Sequence, residues 1–391
     1  MEVNKALKEE IIKEINSNLE ELKDIRTKLY ENPEIGGEEV KTSQILQESL
    51  ERHGFYVENS YYNVKNGFKA SYDSKKDGAT IGIFAEFDAL PDIGHGCGHN
   101  LICTVALGAA YGLKKIINDT GGKIVVFGTP GEENLCTKTS LTPLGAFDEI
   151  DVALMVHPSP ITYSSGKTLA IESLQIEFFG KKSHAGIAPE KGKNALDAAV
   201  YCYQAINFEK QYYKNTNVYG VINDGGQKAS VIPDYSSLKF LNRAWSMQEL
   251  RALKIMLTNC AEAAAKMTGC TYKIWNNEAT NKDMLTNNLM SDIFNNYIEE
   301  FGEKKIRHEN VSGSTDMGDV SHRIPSIHPW VGLDCSDLVL HSREFADVTV
   351  SQKADEYIER CCKALACTAM NILTDNDLLN NIKKEFENSD K

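Results

Sequence analysis

Two histidines and a cysteine fall within five positions in "HGCGHN", residues 95–100. Imidazole and thiol at this density suit three kinds of chemistry. They form half of a structural zinc knot, a reactive cysteine with a neighbouring base, or two ligands of a catalytic metal site completed from elsewhere in the chain. A zinc knot needs a second close-spaced pair of ligands. The ten cysteines offer none: they are scattered, and the adjacent Cys361 and Cys362 lie in an amphipathic helical pattern. A cysteine nucleophile, Cys97 with His95 or His99 as its base, stays open as an alternative. It leaves the nearby carboxylates without a task.

Those carboxylates and a third histidine recur at equivalent places. "TIGIFAEF" (80–87) runs into Asp88, "GKIVVFGTP" (122–130) into Gly131, Glu132 and Glu133, and "DVALMVHP" (151–158) carries His157 near its end. Each run is short, β-branched and apolar, the composition of a strand buried on both faces. The helical stretch "NLICTVALGAAYGLKKIIND" between the first two makes a βαβ unit and a parallel sheet. In a doubly wound sheet the site lies just beyond the carboxyl ends of the strands. Taken singly, a histidine after a strand is a structural or solvated residue, and a glutamate pair at a helix start is a capping feature. Three strand ends that deliver metal-type donors together point to a hydrolytic metal site. Thiolate, imidazole and carboxylate suit zinc or a neighbouring borderline metal. Two ions roughly 3.5–4 Å apart clamp the attacking and leaving oxygens. The Glu132–Glu133 doublet supplies one carboxylate to the metal and leaves the other as general base.

The elements that must position these groups follow from periodicity. The first stretch, "NKALKEEIIKEINSNLEELKDIRTKLYE", has apolar residues at helical spacing, and "NPEIGGEE" (32–39) breaks it before a second helix that Gly54 closes. From Ser173 the order changes to strand, helix, strand, strand, helix, strand, ending at "TYKIWN" (271–276). That is the split β-α-β-β-α-β, ferredoxin-like unit. The later helices "LTNNLMSDIFNNYIEEFG" and "VSQKADEYIERCCKALACTAMNIL" flank strand-like pieces at 325–340 and return to the first unit. The expected fold is therefore α/β: a mostly parallel-sheet domain formed by 1–171 and 279–391, with an inserted domain at 172–278.

Bulk properties agree with a two-domain globular chain. It has 391 residues, 42% hydrophobic and 25% charged, with a net charge of −13. A generally basic nucleic-acid footprint is absent, and a membrane-surface role is not expected. The N-terminus is charged from its second residue, and no apolar run approaches the ~20 residues that cross a bilayer. The expected location is cytoplasmic, with reduced thiols.

The ordered motifs "EFDALPDIGHGCGHNLI", "GTPGEE", "MVHP", "KKSHAGIAPEKGKNALDA", "SVIPD", "NRA", "SGSTDMGDVS" and "LHSREF" span almost the whole chain. Together they resemble the amidohydrolase branch of the family-20 metallopeptidases, relatives of the aminoacylases and glutamate carboxypeptidases. The nearest likeness is to the subgroup of p-aminobenzoyl-glutamate hydrolase and β-alanyl dipeptidase-like proteins. The resemblance implies two divalent metal ions, zinc or manganese with cobalt as a further option. It implies Cys97 as the bridging ligand, and His99, Glu133, His157 and His341 as the other ligands. Glu132 matches the general base and Asp88 an acidic position that supports the site. In the inserted domain, His184 matches an oxyanion-stabilising position, often supplied by a partner subunit, and Arg243 a position that grips a substrate carboxylate. Ser230 stands where many relatives have a substrate-contacting Asn, Gly131 where Ala is common, and Asp316 lies in a stretch that matches the aminobenzoyl-glutamate subgroup; Ser230 and Asp316 are expected, with Arg243, among the substrate-binding residues. The implied activity is hydrolysis of an amide in a small N-acyl amino acid, an aminobenzoyl-glutamate-like compound or a dipeptide. The implied assembly is a homodimer through the inserted, lid-like domain. A catalytically silent binding protein of the same fold is the other alternative, and lost ligands would be its signature. His95 receives no role.

Overall fold

The computed structural model describes residues 2–304 and 306–389, with side chains from Asn4 onward. The chain divides into two compact units. One comprises the residues up to Lys167, then Met284–Val311, and the residues from Asp316 on; the other is Thr168–Asp283 with Ser312–Thr315.

The first unit is built on a six-stranded mixed sheet in the order Tyr56–Asn59, Phe68–Asp73, Lys123–Thr129, Thr80–Glu86, Val152–Leu154, Ser326–Ile327. The three pairings that involve Thr80–Glu86 or Val152–Leu154 are parallel, and the two at the Tyr56–Asn59 edge are antiparallel. Thr80–Glu86 is buried at all but its first residue, as is Lys123–Thr129, which is why both read as unbroken apolar runs. The helix His99–Thr120 connects them and is buried on nearly every side. Its most apolar 18-residue window has a mean hydropathy of 1.3, and 89% of that window lies inside the core. Burial between sheet and helices accounts for this composition. The helix Glu2–Glu31 lays Ile11, Ile15, Leu22, Ile25 and Leu29 onto it, one stripe at helical spacing. Glycine permits the approach: a Cβ at Gly112 would stand 3.0 Å from Ile15 Cδ1, and one at Gly108 2.4 Å from Cys362 Sγ in the helix Gln352–Thr374. A second parallel pair, His157–Ser159 with Trp330–Gly332, continues beyond the sheet. A final helix, Asn376–Glu387, capped by Asp375, was not among the expected elements.

The inserted unit is a four-stranded antiparallel sheet in the order Thr271–Asn276, Ala170–Phe179, Tyr235–Ala244, Asn217–Asp224. Strands alternate: Leu174, Ile176, Phe178, Leu238 and Phe240 face the helices Ala195–Glu209 and Met247–Thr268 and form one core with Ala198, Cys202, Leu253 and Leu257. Asn194 caps the first helix through Leu196 N and Asp197 N. Ser246 caps the second, its Oγ accepting from Glu249 N and donating to Glu249 Oε2. The unit is a few residues wider than the 172–278 of the sequence pattern. Ile171 and Asn281 exchange backbone hydrogen bonds past the end of Thr271–Asn276, and Leu169 N donates to Gly313 O at 2.9 Å.

Candidate metal centre

The strand Thr80–Glu86 ends two residues before Asp88, and the loop from there to His99 turns back over the sheet end. Gly98 closes it with φ +81°, and a Cβ there would lie 2.4 Å from Pro158 Cγ. Both facts demand glycine, and the turn leaves Cys97 and His99 facing the strand ends. His99 is the first residue of its helix. Its Nδ1 donates to Asp88 Oδ1 (2.9 Å) and Asp88 O (3.0 Å). That orients the ring with Nε2 toward the cluster; against its burial, Asp88 and Cys97 raise the His99 pKa well above its ordinary value, and a bound dication would displace the Nε2 proton. Nε2 is fully buried without a hydrogen-bond partner. The other carboxylate oxygen of Asp88 accepts from Glu133 N at 3.1 Å. Burial alone would raise the Asp88 pKa, but His99 and these hydrogen bonds outweigh it and hold the group at about 2.

His157 is oriented in the same manner. Its Nδ1 donates to Pro158 O at 2.7 Å, and its Nε2 stands 3.5 Å from Cys97 Sγ. Burial, reinforced by His328, lowers its pKa to about 3, so the ring is a neutral donor. The Trp330 ring packs on it at 4.0 Å between centroids. Burial pushes the Cys97 thiol well above its ordinary value; a bound dication reverses that preference. Glu133 Oε1 lies 3.2 Å from His341 Nε2 and 4.0 Å from His99 Nε2. His341 arrives from a distant loop with φ +63°, held by its backbone N donating to Gly96 O at 2.9 Å.

Two donor triads result, Cys97–His99–His157 and Cys97–Glu133–His341, with the donor atoms of each within 4.8 Å of one another. Cys97 belongs to both. A third grouping joins His99 to Glu132 and Glu133, and a fourth joins Glu132 to Glu86 and Asp316. Glu132 therefore sits between the donor cluster and a second set of carboxylates. Burial, followed by the charges of Glu86, Asp316 and Glu133, raises its pKa well above the ordinary value.

Asp316 requires a correction. It was expected among the substrate-binding residues, but it is fully buried, and both its oxygens are engaged by Lys138: Nζ at 2.6 Å from Oδ1, and backbone N donating to Oδ2 at 3.0 Å. The side chain is held in the protein interior by Lys138 and lies beside Glu132 and Glu86. Glu86, Lys138 and His328 were absent from the sequence reading. Glu86 had a signal, since it is the last residue of the strand that runs into Asp88. Lys138 and His328 had none.

His184, Ser230 and Arg243 belong to the inserted unit and are not part of the donor cluster. His184 is exposed in the short strand Ser183–His184, paired with Val231–Ile232, and its Nδ1 accepts from Gly186 N at 3.2 Å. Ser230 O accepts from Ala185 N at 2.9 Å, which ties its loop to the His184 turn. Arg243, partly buried on Tyr235–Ala244, donates from Nη1 to Ser312 O at 3.3 Å. His95 is buried with neither ring nitrogen hydrogen-bonded, and burial lowers its pKa to about 3; it joins neither triad.

Comparison with known proteins sets this geometry in a family. A sequence profile of the peptidase dimerisation domain matches residues 170–268. The chain is 33% identical over 398 residues to the Xaa-Arg dipeptidase of Mus musculus, covering 97% of this chain and 92% of that protein. It is 27% identical to a p-aminobenzoyl-glutamate hydrolase polypeptide of Escherichia coli strain K12, covering 95% and 93%. Among solved structures, a dinuclear metal-binding peptidase of the M20 family from Bacillus subtilis superposes with a TM-score of 0.69 at 18% identity, covering 90% of this chain and 99% of that one. With a relative this similar over nearly the full length of both chains, the chain belongs to the M20 family of peptidases and is a hydrolase of amide bonds.

Proposed function

We propose that the chain hydrolyses the amide bond of a dipeptide or other small N-acyl amino acid with the help of two divalent cations, with Glu132 as general base. The observation that carries this reading is the pair of donor triads sharing Cys97, in which His99 Nε2 is buried with no hydrogen-bond partner and Glu133 Oε1 faces His341 Nε2 at 3.2 Å. Buried polar atoms are nearly always paired, so the orphaned imidazole nitrogen among these donors fits a cation. Cys97, His99 and His157 would hold one ion and Cys97, Glu133 and His341 the other; zinc or manganese suits the set, with cobalt a further option. When bound, such ions lower the pKa of a water molecule and polarise the scissile carbonyl.

The chain's own residues do the rest. Asp88 keeps the His99 lone pair aimed at the cluster. Glu132, outside both Cys97 triads, takes a proton from the attacking water and returns it to the leaving nitrogen. His184 donates to the carbonyl oxygen as negative charge develops, and Arg243 binds the substrate carboxylate as a fork. Ser230 contacts the substrate next to His184. The 33% identity to a protein named Xaa-Arg dipeptidase supports a dipeptide as the first substrate class to try. Aminobenzoyl-glutamate comes next, from the 27% relative. The test is free-amine release from a panel of dipeptides, aminobenzoyl-glutamate and N-acyl amino acids. Dipeptide turnover that disappears on chelation and returns with zinc or manganese is expected. Indifference to a strong chelator, together with inactivation by thiol alkylation, would instead assign the chemistry to Cys97 as a nucleophile.

We propose further that the protein is a homodimer through the inserted unit. Asn217–Asp224 is an edge strand, and Tyr219 and Val221 on it are 67% and 59% exposed. An uncovered edge with apolar side chains is a template for a second copy. Tyr219→Lys with Val221→Lys should convert a particle of twice 43.4 kDa into a monomer by light scattering, with an unchanged circular dichroism spectrum. A double variant that keeps the dimer mass rules this edge out. A cytoplasmic location is proposed as well: all ten cysteines are free thiols, the state a reducing compartment maintains.

A further inference from the structure

Lys138 is the second residue of the short helix Thr137–Leu141, which follows the turn carrying Glu132 and Glu133. Its side chain is fully buried. Lysine is almost never in that position unless paired, and Lys138 is paired twice. Nζ stands 2.7 Å from Glu86 Oε1 and 2.6 Å from Asp316 Oδ1, and it donates to Thr129 Oγ1 at 3.4 Å. Glu86 and Asp316 are themselves 1% and 0% exposed. One oxygen from each lies within 4.8 Å of an oxygen of Glu132. Three carboxylates, two of them fully buried and Glu132 partly so, therefore lie together beside the donor cluster, with one ammonium among them. The three come from a strand end, a turn and the N-cap of Met317–Ser321, so no local sequence constraint keeps them together. A buried ion pair is weak support for stability, since apolar groups of similar volume often serve as well. A role in the site explains the cluster better.

We propose that Lys138 is a positioning residue for Glu132. Its ammonium fixes Glu86 and Asp316 and screens their charge, so that the Glu132 carboxylate stays beside His99 and Glu133 instead of being repelled from them. This rests on the reading of Glu132 as general base. The test compares the full-length, metal-loaded protein with Lys138→Met, and with Lys138→Met combined with Asp316→Asn, which removes the cation and one carboxylate together. Metal content by mass spectrometry, melting temperature, kcat and KM are measured for each. The single variant should keep both metals and its KM while kcat falls about 100-fold, the scale of a misplaced catalytic group. The double variant should recover roughly tenfold of that loss, because the charge imbalance is gone. A parental kcat in Lys138→Met overturns the proposal, as does a double variant no better than the single one. Where the single variant does not fold, the double variant decides alone: a kcat within tenfold of the parent supports the proposal, and a folded, metal-loaded protein below that range overturns it. Glu132→Gln separates the two readings. If it is inactive while Lys138→Met is normal, only the positioning role falls; if it is active, the base assignment itself falls.

Discussion

Glu132→Gln is expected to lower kcat by roughly 10²–10⁴-fold, the usual contribution of a general base, and to leave metal content unchanged. Glutamine has the shape of glutamate but accepts no proton at neutral pH. Glu132 stands outside both triads that share Cys97, whereas Glu133 completes one of them; removing the Glu132 charge therefore costs no ligand of that pair. The surroundings of the two glutamates differ, which is why the base role is proposed for this residue and not for its neighbour. Glu133 is pulled down in pKa despite its burial, because His341 and His99 favour the carboxylate. Glu132 is pushed up, first by burial and then by Glu86, Asp316 and Glu133. Two adjacent glutamates driven in opposite directions suit the proposed division into ligand and base. The measurement is steady-state kinetics with metal analysis on the same preparation. A Gln variant turning over at near-parental rate would remove Glu132 from the mechanism, and one that had lost a metal ion would make it a ligand.

The second large effect is expected at Cys97. It is the one donor common to both triads, so Cys97→Ala should reduce the content of both metal ions and abolish measurable turnover. His157→Ala and His341→Ala each remove a donor from one triad only and should each lower the occupancy of a single ion. The stability readout follows by mass action. Metal at a thousandfold excess over its dissociation constant stabilises the folded chain by about 4 kcal/mol per site, and Cys97→Ala should lose most of that metal-dependent rise in melting temperature. Without added metal the variant should melt close to the parent. Burial holds the thiol neutral in that state, and Sγ to Ala removes one small buried atom. Equal metal content in Cys97→Ala and the parent would refute the shared-ligand arrangement. Full activity in His157→Ala would remove that residue from the site.

Much of this was legible in the sequence because it is local. Apolar runs that end in Asp88, in Glu132 and Glu133, and in His157 are strand-and-terminus patterns, and a parallel sheet gathers such ends on one side. The alternation in the inserted unit and its capping residues, Asn194 and Ser246, are equally short-range. Reading His341 as a ligand needed the family resemblance, since "LHSREF" has no periodic signal of its own.

What the sequence determined by itself was the βαβ unit, the insertion, and which donor types stand at which strand ends, because periodicity and turn chemistry act over a few residues. What only the tertiary structure decided was the meaning of charges whose partners lie far away. Asp316 is an unremarkable acid in "SGSTDMGDVS", and Lys138 an unremarkable base in "NLCTKTS". They meet across 178 residues of chain, with Glu86 as the third member. Burial turned an expected substrate contact into an interior ion pair. An ionised side chain shows no sign in its own neighbours of whether water will surround it; that is set by the packing of distant segments, and here the packing places one ammonium among three carboxylates at the Glu132–Glu133 turn.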